Sequence, residues 1–514
     1  MEALQLLCTM SDDSDCFIMS DEESDFSDVG EVECAPPPKK KAPAVQKTKK
    51  APLKPSSASN VSKPTTKSPT SKGGKKGKKT VEETYQKLSQ LEHILKRPDT
   101  YIGSIQPATE RMFILQGEEI VEKEITYTPG LYKIFDEIVV NAADNKQRDP
   151  NMNKMEITIE GNTISVKNNG KGIPIAVHQE HGLYVPTLIF GHLLTGSNFD
   201  DEEKKTTGGR NGYGAKLANV FSTEFIVECV DVERNLKFHQ VFRNNMSVAA
   251  DPVVKKCNAK ELKAGDYVKI TFTPDLPRFN MQSLDPDTVG LLSKRAYDIA
   301  GTLTNRGGKT LSVMLNGKKL PIKNFQEYLK KYVGVQDPIA FLSDERWEVG
   351  ISVSTDGTQQ QVSFVNAIAT SKGGRHVKYI ADQVSDHLIK VIKRKAKMDV
   401  KKAQVGNHLS IMVNCLIDNP SFDSQTKDSL NTLPKLFGSK CQLPDSFFKK
   451  LEKSELYENI VNWSQFKAKQ TLAKKGGTKK SKLTGISKLD DANHAGTAKS
   501  KDCVRMRHRY PFDI

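Results

Sequence analysis

One stretch constrains the fold of this 514-residue chain more than any other. Leu131, Ile134, Phe135, Ile138, Val139 and Ala142 recur at i, i+3, i+4, i+7, i+8 and i+11, which is one continuous apolar stripe on an α-helix. On a second face Glu137, Asn141 and Asn145 follow one another at intervals of four. The spacing predicts a helix over 130–146 with one side in a core and the other presenting a carboxylate and two carboxamides. A carboxylate can polarise a water, and an amide oxygen can ligate Mg²⁺, a hard cation that prefers oxygen. A solvated polar face would carry the same spacing, so the helix becomes a site only with companions.

The length suits two to four domains. Hydrophobic residues make up 37% and charged residues 27%, and no apolar run is long enough to span a bilayer, so no membrane partner is expected. The eight cysteines (Cys8, Cys16, Cys34, Cys229, Cys257, Cys415, Cys441 and Cys503) form no CxxC pair. They read as reduced thiols of an intracellular protein rather than zinc ligands or a disulfide framework. The net charge of +15 is unevenly spread: residues 1–38 hold 11 acids and no Lys or Arg, and residues 39–79 hold 14 lysines and no acid. The other +12 therefore lies in residues 80–514, which favours a polyanionic partner, nucleic acid first.

Residues 1–80 read as a disordered acidic, then Lys-rich tail that cannot bury enough apolar surface to fold. Its Lys block suits a nuclear localisation signal or a DNA-holding arm, and an uninvolved solubilising tail fits as well. Order is expected from about Val81. The alternating segments 155–160 and 163–167, with Gly161-Asn162 between them, read as a hairpin. Strands are expected at 223–231, 236–243 and 267–273, and a helix at 285–302. A second α/β unit is expected from about Lys309, opening with a strand at 311–315. It continues with a strand at 362–370, a helix at 376–396 and a strand at 409–417. From about 470 the chain turns Lys/Gly/Ser/Thr-rich.

Three further segments carry chemistry. Asn168-Asn-Gly170-Lys-Gly172 follows a strand, and its carboxamide can both donate to and accept from a base edge, although Asn-Gly also serves a plain hairpin turn. The run Thr207-Gly208-Gly209-Arg210-Asn211-Gly212-Tyr213-Gly214-Ala215-Lys216 leads straight into an amphipathic segment. Free N–H groups at such a helix start suit phosphate. Ala215 stands where a Walker loop would need Lys, so this is a different phosphate loop. Asn419 to Lys427, after a buried-looking strand, reads alone as a loop.

Together these segments resemble a known family. Glu137-x-x-x-Asn141, Asn168-x-Gly170-x-Gly172 and Gly209-x-x-Gly212-x-Gly214 resemble the boxes of the ATPase superfamily of gyrase, the large heat-shock chaperone, histidine kinases and MutL. Leu91-Glu-His-Ile-Leu-Lys-Arg-Pro-Asp-Thr-Tyr-Ile-Gly, Asn141-Ala-Ala-Asp-Asn-Lys-Gln-Arg-Asp, Thr370-Ser-Lys-Gly-Gly-Arg-His-Val and Phe422-Asp-Ser-Gln-Thr-Lys are similar to eukaryotic DNA topoisomerase II. The resemblance runs from about 81 to 503. It implies an α+β fold: an ATPase domain at 81–308, a mixed sheet with helices on one face, then an α/β transducer domain at 309–470 and a loose basic segment at 471–514.

The resemblance also implies roles. Glu137 would be the general base for ATP hydrolysis, Asn141 the Mg²⁺ ligand, with Asn145 on the same face, and Asn168 the adenine reader. Gly196, Ser197 and Asn198 would meet ribose and phosphate, and Gly209 to Lys216 would wrap the triphosphate. Gln425, Thr426 and Lys427 would come from the second domain, Lys427 touching the γ-phosphate. Tyr85 stands where a strap reaches the partner's nucleotide in an ATP-driven homodimer. Lys393, Arg394, Lys395 and Lys397 match a basic loop that would touch duplex DNA without sequence preference.

After Cys503 the resemblance stops, and the family's acidic cleavage motif and nucleophilic tyrosine are not matched. The resemblance therefore implies a nuclear, ATP-hydrolysing DNA clamp linked to DNA topology and chromosome segregation, without strand cleavage by this chain alone. A non-catalytic partner that forms mixed dimers with a full-length topoisomerase II, or an incomplete product of a full-length gene, would fit the same residues.

Overall fold

The computed structural model describes residues 87–196, 204–209, 212–303 and 310–475. Tyr85, Ser197, Asn198, Arg210, Asn211, residues 1–80 and residues 476–514 lie outside these ranges, whereas residues 471–475, expected to be loose, end the helix Glu455–Lys475. No helix among the described residues is long and apolar enough to cross a membrane.

The helix that the apolar stripe predicts forms as α1, Pro129–Arg148. Pro129 enters at the first helical position, where its missing N–H costs nothing, and Lys146 and Arg148 sit at the carbonyl end. Its stripe packs against a mixed sheet whose order is β11 (Lys318–Lys319)-β10-β3-β4-β9-β5-β6-β7 (Val248–Ala249), with β8 (Val253–Lys256) also pairing β6. In chain order the strands that matter here are β3 (Lys154–Glu160), β4 (Thr163–Asn169), β5 (Ser222–Asp231), β6 (Leu236–Arg243), β9 (Tyr267–Pro274) and β10 (Ser312–Leu315). The β3–β4 hairpin turns at Gly161-Asn162, pairing Glu160 with Thr163. Side chains on successive strand residues point to opposite faces. Met155, Ile157, Ile164, Val166, Phe225, Val227, Phe238, Ile270 and Phe272 are accordingly buried in one core with α1. The same alternation puts Asn168, two residues beyond Val166, on that inner face.

Three of the other helices in this layer matter here: α2 (Val185–Gly191), α3 (Gly214–Val220) and α4 (Pro286–Leu303). The strand at 311–315, expected to open the second unit, instead joins the first sheet as β10, which pairs in parallel with β3, Val313 opposite Met155. The physical reason is a crossover: β9 and β10 run the same way, and α4 between them spans the connection that a parallel return requires. A hairpin that the sequence reading did not contain, β1 (Ala108–Gln116) and β2 (Glu119–Tyr127), lies against α4 through Ile114, Ile125 and Leu291.

The second sheet has the order β12 (Ala340–Ser343)-β13-β16-β14-β15 (Ile368–Ala369). Its central strands β13 (Trp347–Val353) and β16 (Leu409–Cys415) are buried at every position, as continuous apolar runs require when both faces are covered. Ile411 and Val413 of β16 pack with the helix Arg375–Ala396, here α5, in a second core, whereas Met412, with Val362 and Phe364 of β14 (Gln360–Val365), belongs to the first core. The second sheet is thus clasped between its own helix and the first layer. This fixes the loops at the end of β16 relative to α1.

Candidate nucleotide site

A cavity of about 720 Å³ opens between α1, β4, α3 and the loop after β16. Glu137, Asn141 and Asn145 line it from α1, Asn168 from β4, and Gly196, Gly209, Gly212, Tyr213, Gly214, Ala215 and Lys216 from the loops around α3. Gln425 and Lys427 enter from the second sheet's side. Thr426 does not line it. Its hydroxyl pairs with Ser424 Oγ at 2.7 Å and Asp428 Oδ2 at 2.9 Å, and its carbonyl accepts from Lys133 Nζ at 3.4 Å.

Glu137 is 3% exposed. Its Oε1 accepts from Lys133 Nζ at 2.8 Å and from Lys427 Nζ at 3.0 Å. Burial alone would push this carboxyl up, but the two ammonium groups outweigh it and hold it down at about 2. On the other side Glu137 meets the bare Cα of Gly214: a methyl there would lie 2.2 Å from Oε2. Glycine is therefore required at the start of α3 by close approach. Lys427 reaches in from a left-handed backbone conformation, φ 64°, sparsely used by non-glycine residues and concentrated where a site imposes it.

The Gly-rich segment before α3 is anchored by a residue the sequence reading passed over. Asp144, on the same polar face seven residues after Glu137, accepts the N–H groups of Gly208 at 2.7 Å and Gly209 at 2.9 Å. Burial pushes its carboxyl up to about 6 against the opposing pull of those two donors. From the second sheet's side Asn366 Nδ2 donates to Thr207 O at 3.4 Å, and Asn419 N to Lys205 O at 2.9 Å. Lys216 donates to the carbonyls of Gly212, at 2.6 Å, and Thr195, and burial pulls its ammonium down to about 8. Thr195, also absent from the sequence reading, lines the cavity beside Gly196.

Around Asn168 the cavity lining is apolar: Val166, Ile173, Ile189, Phe190, Val268 and Ile270 line it, and Val268 pairs with Asn168 across the strands. Asn145 Nδ2 donates to Asn169 O at 3.2 Å, bracing that strand end rather than reaching outward. Asn141 Oδ1 lies 3.4 Å from where a methyl on Gly209 would stand, at the glycine-lined end. The arrangement offers an apolar slot with one carboxamide, a glycine-lined channel with two lysines, and a carboxylate at its end.

The four basic residues lie elsewhere, at the exposed end of α5. Lys393 is paired with Asp399 at 2.9 Å and Lys395 with Glu452 at 2.8 Å. Lys397 caps α5 with φ 55°. Among the described residues neither Arg394 nor Lys397 is in an ion pair.

A family model described as histidine kinase-, DNA gyrase B-, and HSP90-like ATPase matches residues 126–277, and one described as DNA gyrase B matches residues 314–479. The crystal structure of the ATPase and transducer domains of DNA topoisomerase II from Balamuthia mandrillaris superimposes with a TM-score of 0.72 at 48% identity, covering 76% of this chain and 100% of that one. The chain belongs to the eukaryotic DNA topoisomerase II family. The ATPase region of Saccharomyces cerevisiae topoisomerase II bound to ICRF-187 (dexrazoxane) matches with a TM-score of 0.69 at 47% identity, over 74% of this chain and 99% of that one. DNA topoisomerase 2 of Arabidopsis thaliana is 51% identical over 467 residues, 88% of this chain and 31% of the relative. DNA topoisomerase 2-beta of Gallus gallus is 52% identical over 441 residues, 83% of this chain and 26% of the relative. The chain spans less than a third of the length of these two topoisomerases. In this family member, the α+β fold expected from the sequence is the fold found.

Proposed function

We propose that the cavity binds ATP with Mg²⁺ and hydrolyses it. The observation that carries this reading is the meeting of Glu137 and Lys427, 290 residues apart, at the glycine-lined end of one cavity. Adenine would lie in the apolar slot with its amino edge at Asn168, whose placement on the inner face of β4 supports the role. Gly212, Gly214 and Ala215 would present backbone N–H groups to the phosphates, with Gly209 lining the same end and Lys216 nearby. Gly196 would lie by the sugar. Ser197, Asn198, Arg210 and Asn211 would join them as the family resemblance implies.

A bound Mg²⁺ would neutralise phosphate charge, and Asn141, with its amide oxygen at the phosphate end, fits as its protein ligand. Glu137 would orient the attacking water with Oε2 and take its proton, because Oε1 is committed to cations. Lys427, with Gln425 beside it, would turn from Glu137 to the terminal phosphate. That exchange links occupancy of the cavity to the second sheet. Tyr85 would serve the partner's nucleotide in an ATP-closed homodimer. Such a dimer would clamp duplex DNA in the nucleus, with Arg394 and Lys397, and less so Lys393 and Lys395, against its backbone. Mixed dimers with a full-length topoisomerase II, and a role in chromosome segregation, follow as the wider setting of the same activity.

The direct test is Glu137→Gln. It should bind ATP as tightly as the parent and lose turnover by about 10²–10⁴-fold, the range a general base supplies. Undiminished hydrolysis would remove Glu137 from the role.

A further inference from the structure

Two lysines hold Glu137, and the reaction as read above gives work to only one of them. Lys427 leaves for phosphate. Lys133, one turn before Glu137 on α1, has no substrate to meet: it is 2% exposed and does not line the cavity. Its Nζ lies 2.8 Å from Glu137 Oε1, 3.6 Å from Asp136 Oδ2 and 3.4 Å from Thr426 O. Asp136 cannot swing away, because its Oδ1 is bound by Arg295 Nε at 2.6 Å. Arg295, from α4 and wholly buried, also donates through Nη2 to Ala367 O at 2.6 Å. The chain Glu137–Lys133–Asp136–Arg295 therefore runs behind the cavity wall and ends on the backbone of the turn that follows β14.

We propose that Lys133 is the positioning residue of the hydrolytic carboxylate, the fixed cation that keeps Glu137 ionised and aimed once Lys427 has turned to the terminal phosphate. The proposal rests on the reading of Glu137 as the base.

Three arrangements of the two lysines leave the carboxylate in three different states. With both lysines in place the carboxylate is stabilised so far that it is a poor acceptor for a water proton. With Lys427 gone and Lys133 retained, one cation still offsets burial, and the carboxylate stays charged but more basic. With both gone, a buried carboxylate faces its desolvation alone and takes a proton, which ends its use as a base. Among the described residues, the groups facing Glu137 leave no substitute for Lys133. Lys427 and Asp428 come from the loop after β16, Arg295 and Asp298 of α4 act through Asp136, and α3 offers the bare Gly214. Lys133 also keeps its charge in this setting: burial would lower its affinity for the proton, and the pull of Glu137 and Asp136 more than restores it.

The test is the pH–rate profile of ATP hydrolysis by the full chain, with Lys133→Met and Lys133→Arg beside the parent. Lys133→Met should bind ATP with KM within about threefold. It should lose at least roughly tenfold in kcat at pH 7, an acid limb lying one unit above the assay pH being worth tenfold. It should recover toward the parent near pH 9. Lys133→Arg keeps the charge and should keep the acid limb. A Lys133→Met loss that is the same at every pH would mean a merely structural lysine and would overturn the proposal. If that variant is too unstable to assay, its melting temperature in the Glu137→Gln background decides. A neutral amide needs no counter-cation, so the destabilisation should shrink there, and an undiminished loss counts against the proposal. The two readings fail separately: an active Glu137→Gln removes the base itself, whereas an inactive Glu137→Gln with a pH-independent Lys133→Met removes only the role of Lys133.

Discussion

Gly214→Ala is the most discriminating single change the geometry offers. The added methyl would stand 2.2 Å from Glu137 Oε2, 3.1 Å from its Cδ and 3.2 Å from its Cβ. Carbon–oxygen contacts settle at roughly 3.3 Å, so the carboxylate must yield by about 1 Å. Rotating the carboxylate alone does not relieve the contact, because Cδ and Cβ of the same side chain are also close. Nor can the side chain withdraw freely, since Lys133 and Lys427 both hold Oε1. A misplacement of about 1 Å at a reacting group costs on the order of 10²-fold in rate, or about 2.7 kcal/mol of barrier.

The backbone itself should tolerate the change. Gly214 is the first residue of α3, and its backbone is not among those with positive φ. Alanine would even gain up to about 1 kcal/mol of helix propensity. The expected result is thus a selective one: unchanged or slightly raised melting temperature, and a kcat for ATP lowered by about 10²-fold. A coupled ATPase assay and a thermal scan on the same preparation measure both. A Gly214→Ala variant with parental kcat would refute the claim that the reacting carboxylate is wedged against α3. One that simply unfolds would refute the backbone argument.

Asp144→Ala leaves the N–H groups of Gly208 and Gly209 without their acceptor, so the variant should lose about 1–3 kcal/mol of stability for each group left unpaired. Its Kd for a non-hydrolysable ATP analogue should also rise, measured by calorimetry. Glu137 is held below its ordinary value, so its contribution to stability is complete above about pH 4.5 and is lost as pH falls toward 2. The difference in unfolding free energy between the parent and Glu137→Gln should therefore narrow over that window in acid titrations. At the end of α5, the double variant Arg394→Ala with Lys397→Ala should flatten the salt dependence of DNA binding by about one to two units of slope. Lys395→Ala, whose charge is already spent on Glu452, should change it less.

The elements most legible in the sequence are those whose pattern is local. The stripe from Leu131 to Ala142 gives α1 to within two residues at either end, and the alternation of 155–167 gives the β3–β4 hairpin with its turn. The hairpin β1–β2 escaped because it is an exposed ribbon: Glu110, Arg111, Glu122 and Glu124 leave no clean alternation to read. Within the site, Glu137 and the glycines carry recognisable spacing. Asp144, Lys133, Asp136 and Arg295 do not, because their roles are set by partners 64 residues away for Asp144 and 159 for Asp136. Periodicity on one helix cannot see across to α4 or to Gly208. What could have pointed to them is placement: Lys133 four residues before Glu137, and Asp144 three after Asn141, extend the same polar seam. Lys427 stood in a segment that reads alone as a plain loop, and only the family resemblance raised it.

The joints between the two sheets differ in strength, and that difference predicts which of them moves. The segment 204–209 is tied by Asp144 to α1, by Asn366 to the β14–β15 turn and by Asn419 to the loop after β16. Hydrogen bonds of this kind contribute about 0.5–1.5 kcal/mol each. The three hydrogen bonds to the second sheet's side (Asn366 Nδ2 to Thr207 O, Asn419 N to Lys205 O and Lys205 N to Asn419 Oδ1) thus oppose a rearrangement by about 1.5–4.5 kcal/mol, inside the roughly 8 kcal/mol that a micromolar ligand supplies. Breaking the buried Asp136–Arg295 pair by removing one partner costs about 3–5 kcal/mol, and Arg295 also holds Ala367 O. A phosphate ligand that recruits Lys427 should therefore loosen or re-form the ties at Lys205, Thr207 and Asn419 and leave the Arg295 joint intact. Hydrogen exchange with and without a non-hydrolysable ATP analogue reads this directly: protection should change at Gly208, Gly209 and Asn419 and stay constant along α4 and at Ala367. Exchange that changes first along α4 would reverse the assignment and make the Arg295 joint the moving part.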